Sequence, residues 1–261
     1  DSTIRSWDYA PGGEGTRIQV DPTNHNIIFS STYYGRLMKS DMSIPQRDQS
    51  KHIPDFAVGA IDSLRGEWLA ATLMSKFNNK VIYHGLQHLY RSDDGGETWK
   101  VISPDLSYNN RSRMGNYPYL IYHQAITAIA EGSKPGVLYV GTDDGRVWNS
   151  QDNGNSWKEI TKARQDETVG RGLPSNKHVA KIETSKLKDG KLYIVLNDRR
   201  ADNATPYLFV SANSRVSSKT VTANLPASPV NVIINDDQTC HLFCATALRI
   251  HILQDVATNW N

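Results

Sequence analysis

The chain has 261 residues, and its 29 lysines and arginines nearly balance its 27 aspartates and glutamates, for a net charge of +2. A chain of this length can bury a sizeable core. Because neither charge sign forms a block, nothing suggests a nucleic-acid partner. No apolar run approaches the roughly 20 residues that cross a bilayer, so we expect no membrane insertion. The start, DSTIRSWDYA, lacks an initiator methionine, and we expect a processed chain or a fragment.

Five units of short apolar runs and polar turns follow one another along the chain. Their limits are residues 14–42, 65–103, 123–161, 178–222 and 229–261. In chain order the runs are TRIQV, IIFSSTYYG and RLMKS; EWLAATLM, KVIYHGLQ and HLYRS; AITAIAEG, VLYVGTDDG and RVWNS; HVAKIET, KLYIVLNDRR and YLFVS; PVNVIIN, CHLFCAT and RIHIL. Such β-branched and aromatic runs, bounded by Gly, Asn, Asp and Pro, predict antiparallel strands.

A repeated sequence box closes the second and third units. RSDDGGETWKVIS at residues 91–103 aligns with NSQDNGNSWKEIT at residues 149–161. A side-chain carboxylate can accept hydrogen bonds from loop amides, and a glycine permits a positive φ angle. Because the box recurs, a structural role is favoured over catalysis or metal binding. Its residues are Ser92, Asp94, Gly96, Thr98, Trp99, Ser150, Asp152, Gly154, Ser156 and Trp157.

These repeats predict the fold class. A single sheet cannot bury both of its faces, so the units must stack around an axis. We expect an all-β protein, a β-propeller of four-stranded antiparallel blades, with about five blades in a single domain over residues 1–261 and an incomplete ring. The fifth unit has no room for an outer strand. We therefore predict that residues 3–9 are extended, as an outer strand or against another chain.

The sequence resembles the Asp-box, or BNR-repeat, propellers, a family that includes sialidases, two-propeller xyloglucanases and sortilin-type receptors. The most similar members are secreted bacterial BNR-repeat or sortilin-like proteins labelled glycosyl hydrolases. The resemblance rests on HLYRSDDGGETWKVISPDL, AITAIAEGSKPGVLYVGTDDGRVWNSQDNGNSW, HVAKIETSKLKDGKLYIVLNDRRADNATPYLFVS and NLPASPVNVIIND. It implies a propeller outside the cytoplasm and a longer parent protein. The fourth box has Asn213 and Arg215 in the Asp and Gly places, and the fifth has Ala257 in the Gly place.

Propeller topology predicts a binding face opposite the boxes, where first strands begin and second strands end. Long connections at residues 43–64, 104–122 and 162–177 reach this face, and long loops in compact domains usually carry function or are disordered. The side chains expected there are Tyr33, Tyr34, Arg65, Trp68, His84, His88, His123, Asp144, Arg199 and Arg200. The carboxylates that we nominate for catalysis are Glu67, Asp143 and Asp198.

Two functions remain open. The first is a non-catalytic extracytoplasmic propeller that binds a protein or glycan partner, or that serves as a structural subunit of a larger assembly. The second is a glycoside hydrolase domain whose cleft requires a second propeller. The Arg-Ile-Pro motif of sialidases does not occur, which favours the first. We expect no cofactor and no metal, because the two histidines of HGLQH do not converge on a strand as they would on a helix. Another chain or further blades would complete the ring.

Overall fold

The computed structural model describes residues 17–45, 50–52, 65–114, 123–161, 172–212, 219–222 and 224–254. Within them the chain forms five antiparallel sheets, four of four strands and one of three, each with its strands in chain order. The bounds are β1 Ile18–Val20, β2 Ile27–Ser31, β3 Leu37–Asp41, β4 Ser50–His52; β5 Thr72–Met74, β6 Ile82–Gly85, β7 Leu89–Ser92, β8 Lys100–Val101; β9 Ile126–Glu131, β10 Leu138–Thr142, β11 Val147–Ser150, β12 Lys158–Glu159; β13 His178–Thr184, β14 Leu192–Asp198, β15 Asn203–Ser211, β16 Lys219–Thr220; β17 Val230–Asp236, β18 His241–Thr246, β19 Ile250–Gln254.

Short 3-10 turns lie at Tyr33–Gly35, Arg111–Arg113 and Arg199–Ala201. No helix of the described residues is long and apolar enough to cross a membrane. The prediction of an all-β propeller of about five antiparallel blades is confirmed in this part of the chain.

The core lies in four layers between neighbouring sheets. Strand β14 shows why its sequence, LYIVLND, is apolar throughout: Ile194 packs in the layer toward the third sheet, and Tyr193 and Val195 pack in the layer toward the fifth. Successive side chains of a strand point to opposite faces of its sheet. A strand whose sheet lies between two other sheets therefore needs apolar residues on both of its faces. This burial on both faces holds the sheets together as blades.

The first strands of successive sheets pack side by side, β1 on β5, β5 on β9, β9 on β13 and β13 on β17. Two glycines make the approach possible. A Cβ on Gly85 would lie 2.6 Å from Ile126, and a Cβ on Gly141 would lie 2.3 Å from Val179. In the described residues, no packing of this extent joins the fifth sheet to the first. The sheets therefore form an open series, as an incomplete ring predicts.

The turns fall on two faces. The Gly95 amide donates to the carbonyl of Lys80 over 2.8 Å, and the Asn153 amide donates to that of Gly136 over 2.9 Å. The two box turns thus lie beside the turns that join first and second strands. We call this the lower face. The upper face is the opposite one, formed by the starts of the first strands, the ends of the second strands, and residues 33–35, 143–146 and 199–202.

Some strand limits differ from the prediction. The run EWLAATLM forms a strand only over Thr72–Met74, because Glu67 turns the chain by accepting the Leu69 amide at 2.6 Å. The first sheet extends past residue 42 to β4 at Ser50–His52, which pairs with β3. The predictions for residues 3–9, Asn213, Arg215 and Ala257 lie outside the described residues.

Candidate functional site on the upper face

A charged network lies at the centre of the upper face. Arg200, on the turn between β14 and β15, donates through Nη2 to a carboxylate oxygen of Glu67 and through Nη1 to Oδ2 of Asp143 at 3.1 Å. Glu67 comes from the segment before β5, and Asp143 follows β10. One guanidinium of the fourth sheet thereby holds carboxylates of the second and third sheets, so the network depends on how the sheets stack.

Asp143 has a structural role within this network. Its side chain is fully buried. Oδ2 accepts the His123 amide at 2.6 Å and the Gln124 amide at 3.2 Å, and Oδ1 accepts the Ala125 amide at 3.0 Å. Asp143 therefore fixes the chain just before β9 and has little freedom to act on a substrate.

Glu67 is held as a carboxylate. Its burial acts to raise the pKa, but the hydrogen bond from the Leu69 amide and the positive charge of His178 and Arg200 outweigh burial, so the pKa of Glu67 lies below its ordinary value. A general acid of a glycosidase needs the opposite shift, a raised pKa. Glu67 in this structure is suited to holding Arg200 rather than to donating a proton.

An aromatic cluster lies beside the network. The ring of Trp68 contacts Tyr33 at 4.8 Å between centroids and meets Tyr34 edge-on at 5.3 Å, and Tyr34 reaches His123 at 5.6 Å. Tyr34 adopts a φ angle of 58°, and its ring contacts residues that precede the first strands of the second and third sheets. A Cβ on Gly66 would lie 2.1 Å from the Tyr34 carbonyl oxygen. Only glycine lets these two segments approach so closely.

Trp68 and His123 differ in what they offer a ligand. Trp68 is 40% exposed although it is large and apolar. His123 is buried, and its Nδ1 has no hydrogen-bond partner among the described residues. Burial, opposed by the charge of Glu67, lowers the pKa of His123. A neutral imidazole and an exposed indole therefore border the same region.

Arg17 also belongs to this region, although sequence analysis did not predict it as a site residue. Its Nη2 donates to the Thr127 carbonyl at 3.4 Å, across from the first sheet to the third. Burial, opposed by the charge of Glu67, lowers the pKa of the guanidinium. No local pattern around TRIQV distinguishes this arginine from a surface cation, so only the stacking of the sheets reveals it.

The structure brings together seven of the side chains that we expected on the binding face or nominated for catalysis: Tyr33, Tyr34, Glu67, Trp68, His123, Asp143 and Arg200. Three others are held in separate contacts. Arg65 pairs with Asp105, and Asp198 pairs with Lys177. His88, at its Nδ1, lies 3.1 Å from the Ser103 carbonyl.

His84 does not lie on the surface, contrary to the expectation. Its ring is fully buried, with Nδ1 2.9 Å from the Thr72 hydroxyl and Nε2 2.7 Å from the Gly35 carbonyl. Burial lowers its pKa to about 4. The alternation along β6 directs this side chain toward the first sheet, so it cannot touch a partner in this structure. The side chain of Arg199 lies outside the described part.

A cleft of about 480 Å³ opens on the same face beside the network. Asp144, which we expected on the binding face, lines it and is itself buried. Asp144 accepts the Thr142 hydroxyl, and it accepts the Tyr108 amide at 2.6 Å. Burial, together with the nearby charge of Asp143, raises the pKa of Asp144 despite these hydrogen bonds.

The two box turns have nearly identical contacts on the lower face. Ser92 donates to Asp94 at 2.8 Å, and Asp94 accepts the Thr98 hydroxyl at 2.6 Å. Ser150 donates to Asp152 at 2.8 Å, and Asp152 accepts the Ser156 hydroxyl at 2.5 Å. Gly96 and Gly154 have φ angles of 88° and 89°. The indoles of Trp99 and Trp157 donate to the carbonyls of these glycines, each at 3.1 Å.

The fold and this face define the chain as a β-propeller domain. It is similar to the GH74 xyloglucanase from Xanthomonas campestris, with a TM-score of 0.61 and 16% identity over 94% of this chain and 37% of that one. It is similar to YCF48 bound to D1 peptide, with a TM-score of 0.50 and 12% identity over 98% and 72%. It is also similar to the extracellular domain of BT4673 from B. thetaiotaomicron, with a TM-score of 0.52 and 12% identity over 88% and 26%.

These likenesses show the fold alone, because every identity is low. The chain spans roughly a third of the GH74 enzymes that it matches, 37% of the one from X. campestris and 36% of the one from Niastella koreensis. Comparison of the sequence with protein-family models and with curated proteins finds no match.

Proposed function

We propose that the chain is a non-catalytic, extracytoplasmic β-propeller of the Asp-box type that binds a protein or glycan partner through its upper face. The observation that carries the proposal is the aromatic cluster formed by Tyr33, Tyr34 and the exposed Trp68 beside a network of paired charges. Aromatic residues with a polar end are enriched at binding hot spots. Paired charges around them favour specificity over raw affinity.

The contacts of the lower face support the Asp-box assignment. In both boxes equivalent positions make the same hydrogen bonds, with the hydroxyl of Thr98 in the first box replaced by that of Ser156 in the second. The indole of Trp157 also donates to the carbonyl of Ile102 at 2.8 Å, which ties the third sheet to the second. A turn that recurs with the same contacts in the second and third sheets serves the fold, and it leaves the upper face available for partners.

The extracytoplasmic location is a separate part of the proposal. It is supported by the likeness to an extracellular domain and by the resemblance of the two boxes to those of secreted propellers. Detection of the natural protein in the culture medium, the periplasm or the cell-surface fraction would agree with it. Recovery with the cytoplasmic fraction alone would contradict it.

Glycoside hydrolysis with a second propeller is the alternative function. The GH74 likeness and the meeting of Glu67 and Asp143 at Arg200 favour it. Against it, the pKa of Glu67 is lowered, and Asp143 is engaged by three amides. Turnover of a polysaccharide by the full-length protein, abolished by Glu67→Gln or Asp143→Asn, would establish the alternative and overturn the binding proposal.

The binding proposal can be tested with a glycan array and a displayed peptide library, probed with the wild type and two matched variants. Trp68→Ala removes an exposed indole of the upper face. Phe77→Ala removes a ring of similar exposure, 41% against 40%, from a turn of the lower face. We expect Trp68→Ala to weaken the selected ligands at least tenfold and Phe77→Ala to change them less than twofold.

Equal binding by all three proteins would contradict the proposal, as would a failure of both libraries to yield any ligand. Thermal unfolding of each variant serves as the control for folding. Both side chains are well exposed, so we expect the two variants to melt within a few degrees of the wild type.

A further inference from the structure

The cleft beside the charged network carries an unsatisfied donor. Gln124 is fully buried, and its Oε1 accepts the Asn110 amide at 2.9 Å. That bond fixes which end of the side-chain amide is oxygen, because an NH₂ group could not accept it. Gln124 lines the cleft, and its Nε2 group is buried with no hydrogen-bond partner among the described residues. A buried amide donor without an acceptor is costly, so a ligand oxygen there would gain an oriented partner.

Two other residues of the cleft supply an acceptor and an apolar surface. Asp144 lines the cleft, and its two described hydrogen bonds leave its carboxylate with lone pairs that can accept further hydrogen bonds. The Tyr108 ring is 43% exposed and is stacked by Arg146, whose guanidinium carbon lies 4.7 Å from the ring centroid. Donor, acceptor and ring are therefore held in place before a ligand arrives.

The chemistry of the walls indicates the class of ligand. Among the described residues that line the cleft, one is a cation, Arg113, and one is an anion, Asp144, so these residues do not favour a strongly charged molecule. Its amide-bearing side chains can both donate and accept, which suits groups that also do both. Sugar hydroxyls do so, and the C–H face of a sugar ring packs on tyrosine. The volume of about 480 Å³ lies in the range of small-molecule sites.

An extended peptide is a poorer fit. Such a ligand usually adds a strand to a free sheet edge. The residues that line this cleft belong instead to loops, to a 3-10 turn and to the segment before β9. We therefore propose that the cleft binds a neutral saccharide unit through vicinal hydroxyls, which accept from Gln124 Nε2 and donate to the Asp144 carboxylate. This inference rests on the proposed partner-binding function of the upper face and names the ligand class for one part of it.

The test is calorimetric titration of the whole chain with five neutral hexasaccharides, namely those of cellulose, starch, mannan, xylan and chitin, with anionic hexagalacturonate for comparison. Gln124→Glu replaces the free donor by an acceptor and keeps an oxygen for the Asn110 amide. We expect at least one neutral saccharide to bind the wild type, with no tighter binding of hexagalacturonate, and Gln124→Glu to weaken that binding at least tenfold.

Two further variants keep the result decisive. Ser175→Trp places a ring at an exposed position of the cleft wall, and we expect it to block binding even if Gln124→Glu proves unstable in a thermal melt. Phe77→Ala removes an exposed ring of the lower face, outside both the cleft and the aromatic cluster, and should change saccharide binding less than twofold.

Several outcomes would overturn the inference. One is a panel in which no neutral saccharide binds, and another is binding that Gln124→Glu and Ser175→Trp leave unchanged. A third is Gln124-dependent binding of a pool of uncharged, end-blocked hexapeptides, which would show that the ligand of the cleft is a peptide and not a saccharide. Saccharide binding that is lost in Trp68→Ala but kept in Gln124→Glu would refute the cleft and leave the proposed function of the upper face standing.

Discussion

At the scale of single residues, the box turn depends on one serine as much as on its aspartate. Ser92 is fully buried, and its hydroxyl accepts the Gly96 amide at 2.8 Å while it donates to Asp94 at 2.8 Å. The Thr98 amide and hydroxyl, followed by the Ser92 hydroxyl, lower the pKa of Asp94 well below its ordinary value. The carboxylate is thus charged at neutral pH and orients the turn, while the serine satisfies the buried amide.

Ser92→Ala should therefore lower the free energy of unfolding by about 1–3 kcal/mol, because it leaves the buried Gly96 amide without an acceptor. Asp94→Ala should lower it as well, since the Thr98 amide and hydroxyl lose their common acceptor. Urea denaturation at pH 7 measures both effects. Ser175→Ala, at an exposed serine, is the control and should stay within about 0.5 kcal/mol of the wild type. A Ser92→Ala variant as stable as this control would contradict the structural role of the box.

His84 makes stability depend on pH. Burial between the Gly35 carbonyl and the Thr72 hydroxyl lowers its pKa from 6.5 to about 4. Between these values the unfolded chain binds a proton that the folded chain does not, so stability is fully present above pH 6.5 and falls as the pH drops toward 4. One such group contributes about 3 kcal/mol over this window. His123 and His251, whose pKa values burial also lowers, act in the same direction.

The measurement is urea denaturation of the wild type and His84→Gln at several pH values from 7.5 to 4.5. We expect the variant to be less stable at pH 7.5 and to lose less stability on acidification, so that the two curves converge. His88→Gln, at a partly exposed ring, should keep the slope of the wild type. Parallel curves for the wild type and His84→Gln would contradict the assignment.

At the scale of the strand, the spacing between sheets is set by glycine. Gly141 in β10 faces Val179 in β13, and a Cβ on Gly141 would lie 2.3 Å from Cγ1 and 2.7 Å from Cβ of that valine. Such overpacking typically costs about 1–3 kcal/mol. We expect Gly141→Ala to destabilise the protein by this amount through separation of the third and fourth sheets.

A double-mutant cycle identifies the contact. Val179→Ala alone leaves a cavity in a fully buried position, but it also removes the Cγ1 atom that Gly141→Ala meets first. The double variant should therefore be more stable than the sum of the two single effects predicts, by about 0.5 kcal/mol or more. Strict additivity in denaturation experiments would show that the two residues do not clash as described.

The elements and the box could be predicted because their determinants are local. The hydrogen bonds of Asp94 reach no farther than Thr98, and the alternation of HLFCAT predicts β18. The prediction of a strand over EWLAATLM was wrong for most of that run, because the Glu67 carboxylate accepts the Leu69 amide and turns the chain there. The apolar pattern of that run does not predict the hydrogen bond that its glutamate, Glu67, accepts from Leu69.

For the candidate site, the sequence predicted which face of the sheets carries the side chains, but not how those side chains pair. Loop topology placed Glu67, Asp143 and Arg200 on one side of the sheets, but the pairing through Arg200 depends on how the second, third and fourth sheets stack. The same holds for Arg17 and Gln124. Their contacts are with segments that lie far from them in the sequence. Contacts between sheets cannot be inferred from the spacing within one unit.

At the scale of the whole molecule, the two terminal sheets expose apolar faces. The outer face of the first sheet carries Ile18 and Val20, which are 46% and 45% exposed. The outer face of the fifth carries Ile234, Ile250 and Ile252, which are 56%, 69% and 38% exposed. Their opposite faces are buried in the layers between sheets. Repeat proteins need polar caps at their ends to remain soluble as monomers, and large exposed apolar patches mark interfaces.

The purified 261-residue chain should therefore self-associate through these faces, with a weight-average mass in sedimentation velocity that rises above that of the monomer as its concentration increases. Ile234→Lys combined with Ile252→Lys places charges on the exposed face of the fifth sheet. This double variant should remain monomeric over the same range, with thermal stability close to that of the wild type because neither side chain is buried. Leu187→Lys, at a 73% exposed leucine in a lower-face turn, is the control and should associate as the wild type does. A wild type that is monomeric at every concentration, or a double variant that associates as strongly as Leu187→Lys, would show that the exposed end faces do not drive assembly.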